Sequence, residues 1–263
     1  MKSLETLTLE TDRDGICTLT LNRPEKHNAL NALMISELRT AAADIQADEA
    51  IRVVILTGAG KSFCAGGDLG WMQEQAEKDR AGKIAESSQL ALMLHDLDAL
   101  RKPLIGRVQG PAYGGGVGMM AVCDIVVADK QVRLGLTETR LGLIPATIGP
   151  YVVRRMGEGA ARQVFMNGSL FSAERAQHLG LVSIICSEET LDQAVADEAR
   201  NFLACAPGAV ADAKALCQTL ARSMTDDPLE YTAEQLADRW ETEEAQSGIR
   251  AFFSRTKPAW TVD

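Results

Sequence analysis

Between residues 109 and 150 the sequence QGPAYGGGVGMMAVCDIVVADKQVRLGLTETRLGLIPATIGP concentrates the residue types that could do chemistry. Gly114, Gly115, Gly116 and Gly118 stand at the head of an apolar run, MMAVCDIVVA. Glycine lets the main chain approach a ligand closely, and a helix beginning there aims its unpaired N–H groups at negative charge. Further on, one carboxylate, Glu138, is set among small and apolar residues and is followed by a loop over 144–150. Burial raises a carboxyl pKa toward the range where it can take and return a proton. Together the two features imply stabilisation of a developing oxyanion with proton transfer beside it.

A second glycine cluster, Ala65-Gly66-Gly67-Asp68, lies within SFCAGGDLGWM. Each cluster follows an expected strand and precedes an expected helix, so both can present N–H groups at one end of a sheet. Two such donors on one carbonyl oxygen form an oxyanion hole, and losing one donor typically costs about 10²–10³ in rate. Other glycine motifs fail on spacing. GAGKS at 58–62 lacks the phosphate-loop glycine five residues before Gly60, where Ile55 stands. A dinucleotide fingerprint counted from Gly114 and Gly116 reaches Met119, and one counted from Gly116 and Gly118 reaches Ala121. His27, His95 and His178 are scattered and read as surface or packing residues; Ser62, Ser169 and Ser172 lack the G-x-S-x-G elbow of serine hydrolases.

The elements around these residues alternate between strand and helix. Alternation over 4–10 and 16–21 about Asp12-Arg13-Asp14-Gly15 predicts a β-hairpin. Leu33, Met34, Leu38, Ala41 and Ile45 recur at helical spacing in a helix over 31–47. The run IRVVILT at 51–57 predicts a strand buried on both faces. A helix over 72–100, a short strand at 104–109, a helix over 115–122 and strands at 124–128 and 132–136 follow. Glu138 falls in or just before a short helical turn. From Tyr151 onward the pattern is helical, with one strand at 181–185 and a charged helical tail over 207–257. This is an α/β core.

Composition sets the outer bounds. The 263 residues are enough to bury a real core, and 46% apolar with 24% charged residues is ordinary for a soluble globular protein. Lys and Arg total 27 against 36 Asp and Glu, a net charge of −9, which argues against general nucleic-acid binding. Six dispersed cysteines show no CxxC and no metal spacing, which fits a reduced, cytoplasmic setting. No run is long enough for a membrane span, the N-terminus does not read as a signal peptide, and no metal site is expected.

Four segments, NRPEKHNALN at 22–31, FCAGGDL at 63–69, GPAYGGGVGMMAVCDI at 110–125 and LTETRLGLIP at 136–145, together resemble the crotonase (enoyl-CoA hydratase/isomerase) family. The resemblance extends to the C-terminal FFSRTKPAW. It implies a spiral of ββα units over 1–200 and a helical C-terminal region over 201–263 that mediates assembly into a homotrimer or dimer of trimers. The substrate would be an acyl-CoA thioester, with coenzyme A part of the substrate and no separate cofactor. The N–H groups of Gly67 and Gly115 would form the oxyanion hole, and Glu138 would be the acid–base residue. Ala65, Gly66, Asp68 and Leu69 would line the CoA site, Lys26 would approach CoA, and Arg255 or Lys257 would meet its phosphates.

Hydratases of the family usually carry two glutamates; Glu138 matches the second, and the first falls at Gly118. A glycine there is expected to remove a charge and open volume for a bulkier or branched acyl chain. AGGDLGWM, ETRLGLIPATIGPYVVRRMG and RAFFSRTKPAW resemble most the bacterial branch that hydrates 3-methylglutaconyl-CoA or isohexenylglutaconyl-CoA in leucine and acyclic-terpene breakdown. The expected reaction is syn hydration of an enoyl-CoA with Glu138 working alone. The alternatives are a Δ3,Δ2-enoyl-CoA isomerase and, from another class, a non-catalytic acyl-CoA or RNA-binding protein.

Overall fold

The computed structural model describes residues 4–222 and 228–261. The chain opens with β1 (Leu7–Thr11) and β2 (Ile16–Leu21), paired antiparallel. Asp12 closes their turn by accepting from the N–H groups of Asp14 and Ile16, both at 2.9 Å. Helix α1 (Ala32–Ala47) starts at Asn31, whose side chain accepts from the N–H of Met34 at 2.9 Å. Asn is a favoured N-cap because its oxygen satisfies a donor the helix leaves unpaired. Met34, Leu38, Ala41 and Ile45 are buried as the spacing predicts, whereas Leu33 lies off that face and is exposed.

Strand β3 (Val53–Gly58) leads to α2 (Leu69–Glu77) and α3 (Arg80–Asp98). The single helix expected over 72–100 is therefore two. Asp79 caps the second by accepting from the N–H of Gly82 at 2.8 Å, and its extended backbone breaks the run. Next come β4 (Leu104–Val108), β5 (Ala112–Tyr113), α4 (Gly115–Val122), β6 (Ile125–Asp129) and β7 (Arg133–Gly135). Then follow α5 (Gly149–Met156), α6 (Glu158–Phe165), β8 (Leu170–Ser172), α7 (Ala173–His178), β9 (Ile184–Cys186) and α8 (Glu188–Leu203). The chain ends with α9 (Pro207–Ala221), α10 (Pro228–Trp240) and α11 (Glu243–Ser254).

One sheet has six strands in the order β1-β2-β3-β4-β6-β9, parallel from β2 onward, and a second has three in the order β5-β7-β8. The chain alternates between them: β4 enters the large sheet and β5 the small, and β6 and β7 repeat the step. Strands β5 and β8 were not expected, because two or three residues are too few to show a period. The last strand lies at 184–186 rather than over 181–185.

One face of the large sheet packs on α1, α3 and α4 through residues such as Leu56, Met34, Leu94 and Met120. On the other, Val53, Ile105 and Val127 meet Leu191, Val195, Ala199 and Leu203 of α8. Burying each such large aliphatic side chain contributes about 1.5–3 kcal/mol. This double burial is why β3 reads as an unbroken apolar run. The parallel strands share one direction, so the loops after β3 and β4, which carry the two glycine clusters, leave the sheet at the same end. Among the described residues no helix is long and apolar enough to cross a membrane.

Candidate active site

The two glycine loops are stitched together. The N–H groups of Phe63 and Cys64 donate to the carbonyl of Pro111 at 3.1 and 3.3 Å, and Tyr113 N–H donates to the Cys64 carbonyl at 2.9 Å. Such closeness needs glycine. A Cβ at Gly116 would stand 2.4 Å from the Cys64 carbonyl oxygen, and one at Gly66 would stand 3.0 Å from that of Tyr113. Gly66 also has φ +89°, a conformation that suits glycine.

Leu30 fixes how each loop points. Its N–H donates to the Gly66 carbonyl at 2.7 Å, and its carbonyl accepts from Asp68 N–H at 2.8 Å. Peptide groups alternate in an extended segment, so the N–H of Gly67 faces away from Leu30. Leu30 also packs on the second loop: a Cβ at Gly115 would fall 2.7 Å from its Cδ1. Gly115 is the first residue of α4, where no intrahelical acceptor exists. Among the described residues the N–H groups of Gly67 and Gly115 have no backbone acceptor. Two free main-chain donors thus flank one leucine.

Glu138 opens a short 3-10 turn, Glu138–Leu141, directly after β7. The pairing of β7 with β5 carries it to the second glycine loop, where Gly114 N–H donates to the Gly135 carbonyl at 2.9 Å. A Cβ at Gly114 would lie 3.1 Å from Glu138 Oε1, so the carboxylate rests against the residue preceding Gly115. Its Oε2 is buried with no hydrogen-bond partner among the described residues. Burial pushes the Glu138 carboxyl above the usual range, partly offset by a hydrogen bond from its own N–H. A carboxyl with one free buried oxygen, set against the residue before Gly115, can move a proton next to a carbonyl whose oxygen the two amides hold.

Residues 11–263 match the model of the family described as enoyl-CoA hydratase/isomerase. The chain belongs to the enoyl-CoA hydratase/isomerase family. An enoyl-CoA hydratase structure from Shewanella pealeana superposes with a TM-score of 0.94 at 35% identity, covering 98% of this chain and 97% of that one. The 2,3-dehydroadipyl-CoA hydratase of Escherichia coli is 32% identical over 92% of this chain and 94% of its own length. The mevalonyl-coenzyme A hydratase of Aspergillus fumigatus is 32% identical over 93% of this chain and 91% of its own. The α/β crotonase fold is thereby established for this chain.

Within this enoyl-CoA hydratase/isomerase chain the remaining expected positions fall as follows. Ala65 N–H donates to the His27 carbonyl at 3.0 Å, which brings the exposed Lys26 loop beside the first glycine cluster. The carboxylate of Asp68 serves the loop itself, pairing with Arg23 at 3.0 Å and accepting from Gly70 N–H at 2.9 Å. Leu69 is largely exposed at the start of α2. Arg255 and Lys257 follow α11 in a segment that Trp260 anchors. Its indole donates to the Ala204 carbonyl at 3.3 Å, and its own carbonyl accepts from Arg52 at 3.2 Å. Arg52 precedes β3, so this anchor lies at the end of the sheet opposite the glycine loops.

Gly118 requires a correction. It does not open volume, because a Cβ there would lie 2.3 Å from Ile148 Cγ2 and 3.6 Å from Leu94 Cδ2. The isoleucine after the Glu138 loop has taken the space. Two positioning residues escaped the sequence reading: Leu30 and Asn28. Asn28 is fully buried with φ 54°, and its amide donates to the carbonyls of Ala59 and Ser62 at 2.9 and 2.8 Å. A polar residue in the middle of NRPEKHNALN was the available signal.

Proposed function

We propose that this chain is an enoyl-CoA hydratase that adds water across the double bond of a branched glutaconyl-type acyl-CoA. Carrying this reading is one observation: the half-buried Glu138 carboxylate lies against Gly114, between two loops whose Gly67 and Gly115 N–H groups have no backbone acceptor. The thioester oxygen would be gripped by those amides as negative charge gathers on it. Glu138 would take a proton from water as it attacks Cβ, then deliver one to Cα. Positioned acid–base catalysis of this kind contributes about 10²–10⁴ in rate. The branched glutaconyl assignment, with 3-methylglutaconyl-CoA or isohexenylglutaconyl-CoA as the candidates, draws on the sequence segments that resemble that branch. Relatives named for dehydroadipyl and mevalonyl thioesters add that functionalised acyl groups occur at this level of similarity.

A second reading has its own support. With glycine at position 118, Glu138 is the one acid of the pair expected there, and a single acid suffices to shuttle a proton between carbons in a Δ3,Δ2-enoyl-CoA isomerase. Incubation with enoyl-CoA in H₂¹⁸O separates the two. Label entering the acyl product supports hydration; double-bond migration without label establishes the isomerase instead. For assembly, the homotrimer or dimer of trimers draws support from the exposed Leu141, Leu143 and Ile144 beside the site. Light scattering on the purified chain tests it, and a monomer would refute it.

A further inference from the structure

Helix α2 lies over the first glycine loop. The atoms nearest a Cβ at Gly67 would be Met72 Cγ and Sδ, at 3.2 and 3.3 Å, and Trp71 Cζ3, at 3.6 Å. Trp71, Met72, Gln75 and Lys78 are half-buried at the spacing of one helical face, whereas Gln73, Glu74, Ala76 and Glu77 are exposed. Lys78 Nζ meets Glu86 Oε1 at 2.6 Å, which pins the end of that face to α3. The next turns of α3 carry the half-buried Leu90 and the buried Leu94, whose Cδ2 would lie 3.6 Å from a Cβ at Gly118. The inner face of α2 therefore runs from the Gly67 amide to the joint with α3.

That face holds polar atoms with nothing to bond. Five buried side-chain polar atoms have no hydrogen-bond partner among the described residues: Glu138 Oε2, Asp129 Oδ2, Trp71 Nε1 and both Oε1 and Nε2 of Gln75. Three of them are on the inner face of α2, and a fourth belongs to the acid of the candidate site. A buried polar group without a partner weakens a fold, whereas an apolar group of the same shape does not. Trp71 packs on the core, and its N–H lies close enough to Glu86 to help Lys78 hold that carboxyl below its usual range. Gln75 has no such partner at either end of its carboxamide. Because Lys78 and Glu86 offset each other, the carboxamide offers hydrogen bonds where no net charge is in play.

We infer that Gln75 selects the acyl group: its carboxamide donates to an oxygen carried on the acyl chain of a thioester whose carbonyl the Gly67 amide holds. This rests on the acyl-CoA reading of the glycine loops. Four residues of helix, about 6 Å, separate Trp71 from Gln75, a span that a five-carbon acyl chain matches. The oxygen can belong to a hydroxyl or a carboxylate. Unreactive saturated thioesters of equal chain length tell them apart: valeryl-CoA, 5-hydroxyvaleryl-CoA and glutaryl-CoA. In calorimetric binding at least one oxygen-ended member should bind about five- to tenfold more tightly than valeryl-CoA. Gln75→Leu should abolish that preference, as should Gln75→Met, which keeps the length of the side chain. Without ligand both variants should melt no lower than the parent, because the carboxamide has no partner to lose. Equal binding of all three thioesters by the parent, or survival of the preference in both variants, would overturn the assignment of Gln75. Variants that melt lower and keep the preference would assign Gln75 to the fold instead. If none of the three thioesters bound, the acyl-CoA reading itself would fall.

Discussion

Ile148 occupies the space that any side chain at Gly118 would need, with its Cγ2 2.3 Å from where that Cβ would stand. Alanine normally favours a helix interior over glycine by about 1 kcal/mol. Here overpacking, typically about 1–3 kcal/mol, opposes that gain. Gly118→Ala should therefore lower stability in urea titration, and the same substitution should cost less in an Ile148→Ala background than in the parent, because the clash is gone although the truncated isoleucine carries its own cost. The same contact means that Gly118→Glu cannot supply a second acid unless Ile148 is shortened too.

Glu138 gives two readouts from one substitution. Glu138→Gln should lower hydration by at least about 10² while CoA thioesters still bind, since the amide keeps the shape and loses the base. Its raised pKa also has a stability consequence. A carboxyl whose folded value exceeds its unfolded value binds protons more tightly when folded, so ionising it weakens the fold as pH rises through the folded value. Gln removes that penalty. The variant should melt above the parent at pH 8, with the difference gone near pH 4. The parent's kcat/KM should rise with pH through a limb above the ordinary carboxylate range; a limb at the ordinary value would remove the assignment of Glu138 as base.

The glycines of the two loops should separate fold from chemistry. Gly116→Ala drives a Cβ to within 2.4 Å of the Cys64 carbonyl, backbone against side chain, and must part the loops. Activity and thermal stability should fall together. At Gly67 the nearest atoms, Met72 Cγ and Sδ at 3.2 and 3.3 Å, belong to a flexible side chain. Gly67→Ala should keep the parent's melting temperature, so any change in KM or kcat reports on the acyl site alone.

Much of this site was legible because its signals are local. The glycine run sets the start of α4 at Gly115, and the apolar run sets its end. Asn31 before a 3.6-residue stripe sets the start of α1. What was not legible depends on residues far apart in the chain. Strands β5 and β8 exist because β7 lies between them, not because of their own two or three residues. Ile148 against Gly118, and Leu30 against Gly115, are contacts across 30 and 85 residues, and no spacing rule announces them. The break at Lys78 and Asp79 that divides 72–100 into two helices rests on the extended backbone of two residues and one capping side chain, too local a feature to interrupt a helical pattern read over the whole stretch.

Asp98 carries the last prediction. Its buried carboxylate joins three elements: it accepts from Arg154 of α5 and, at 2.6 Å, from Arg222 after α9, while its backbone carbonyl accepts from Gln218 of α9 at 2.8 Å. Arg154 also lies over the Tyr151 ring at 5.4 Å. Two cations converging on one buried anion make the partners costly to separate, because removing the anion leaves both guanidinium groups crowded and only partly solvated. Asp98→Ala should cost about 3 kcal/mol in denaturant unfolding. Arg222→Ala leaves Asp98 paired with Arg154 and should cost less. If the carboxylate holds α9 against the end of α3, Asp98→Ala should also expose 207–221 to limited proteolysis at concentrations of denaturant where the parent is protected. Equal protection of α9 in both chains would show that its docking depends instead on contacts such as Lys214 with Asp124, at 2.8 Å.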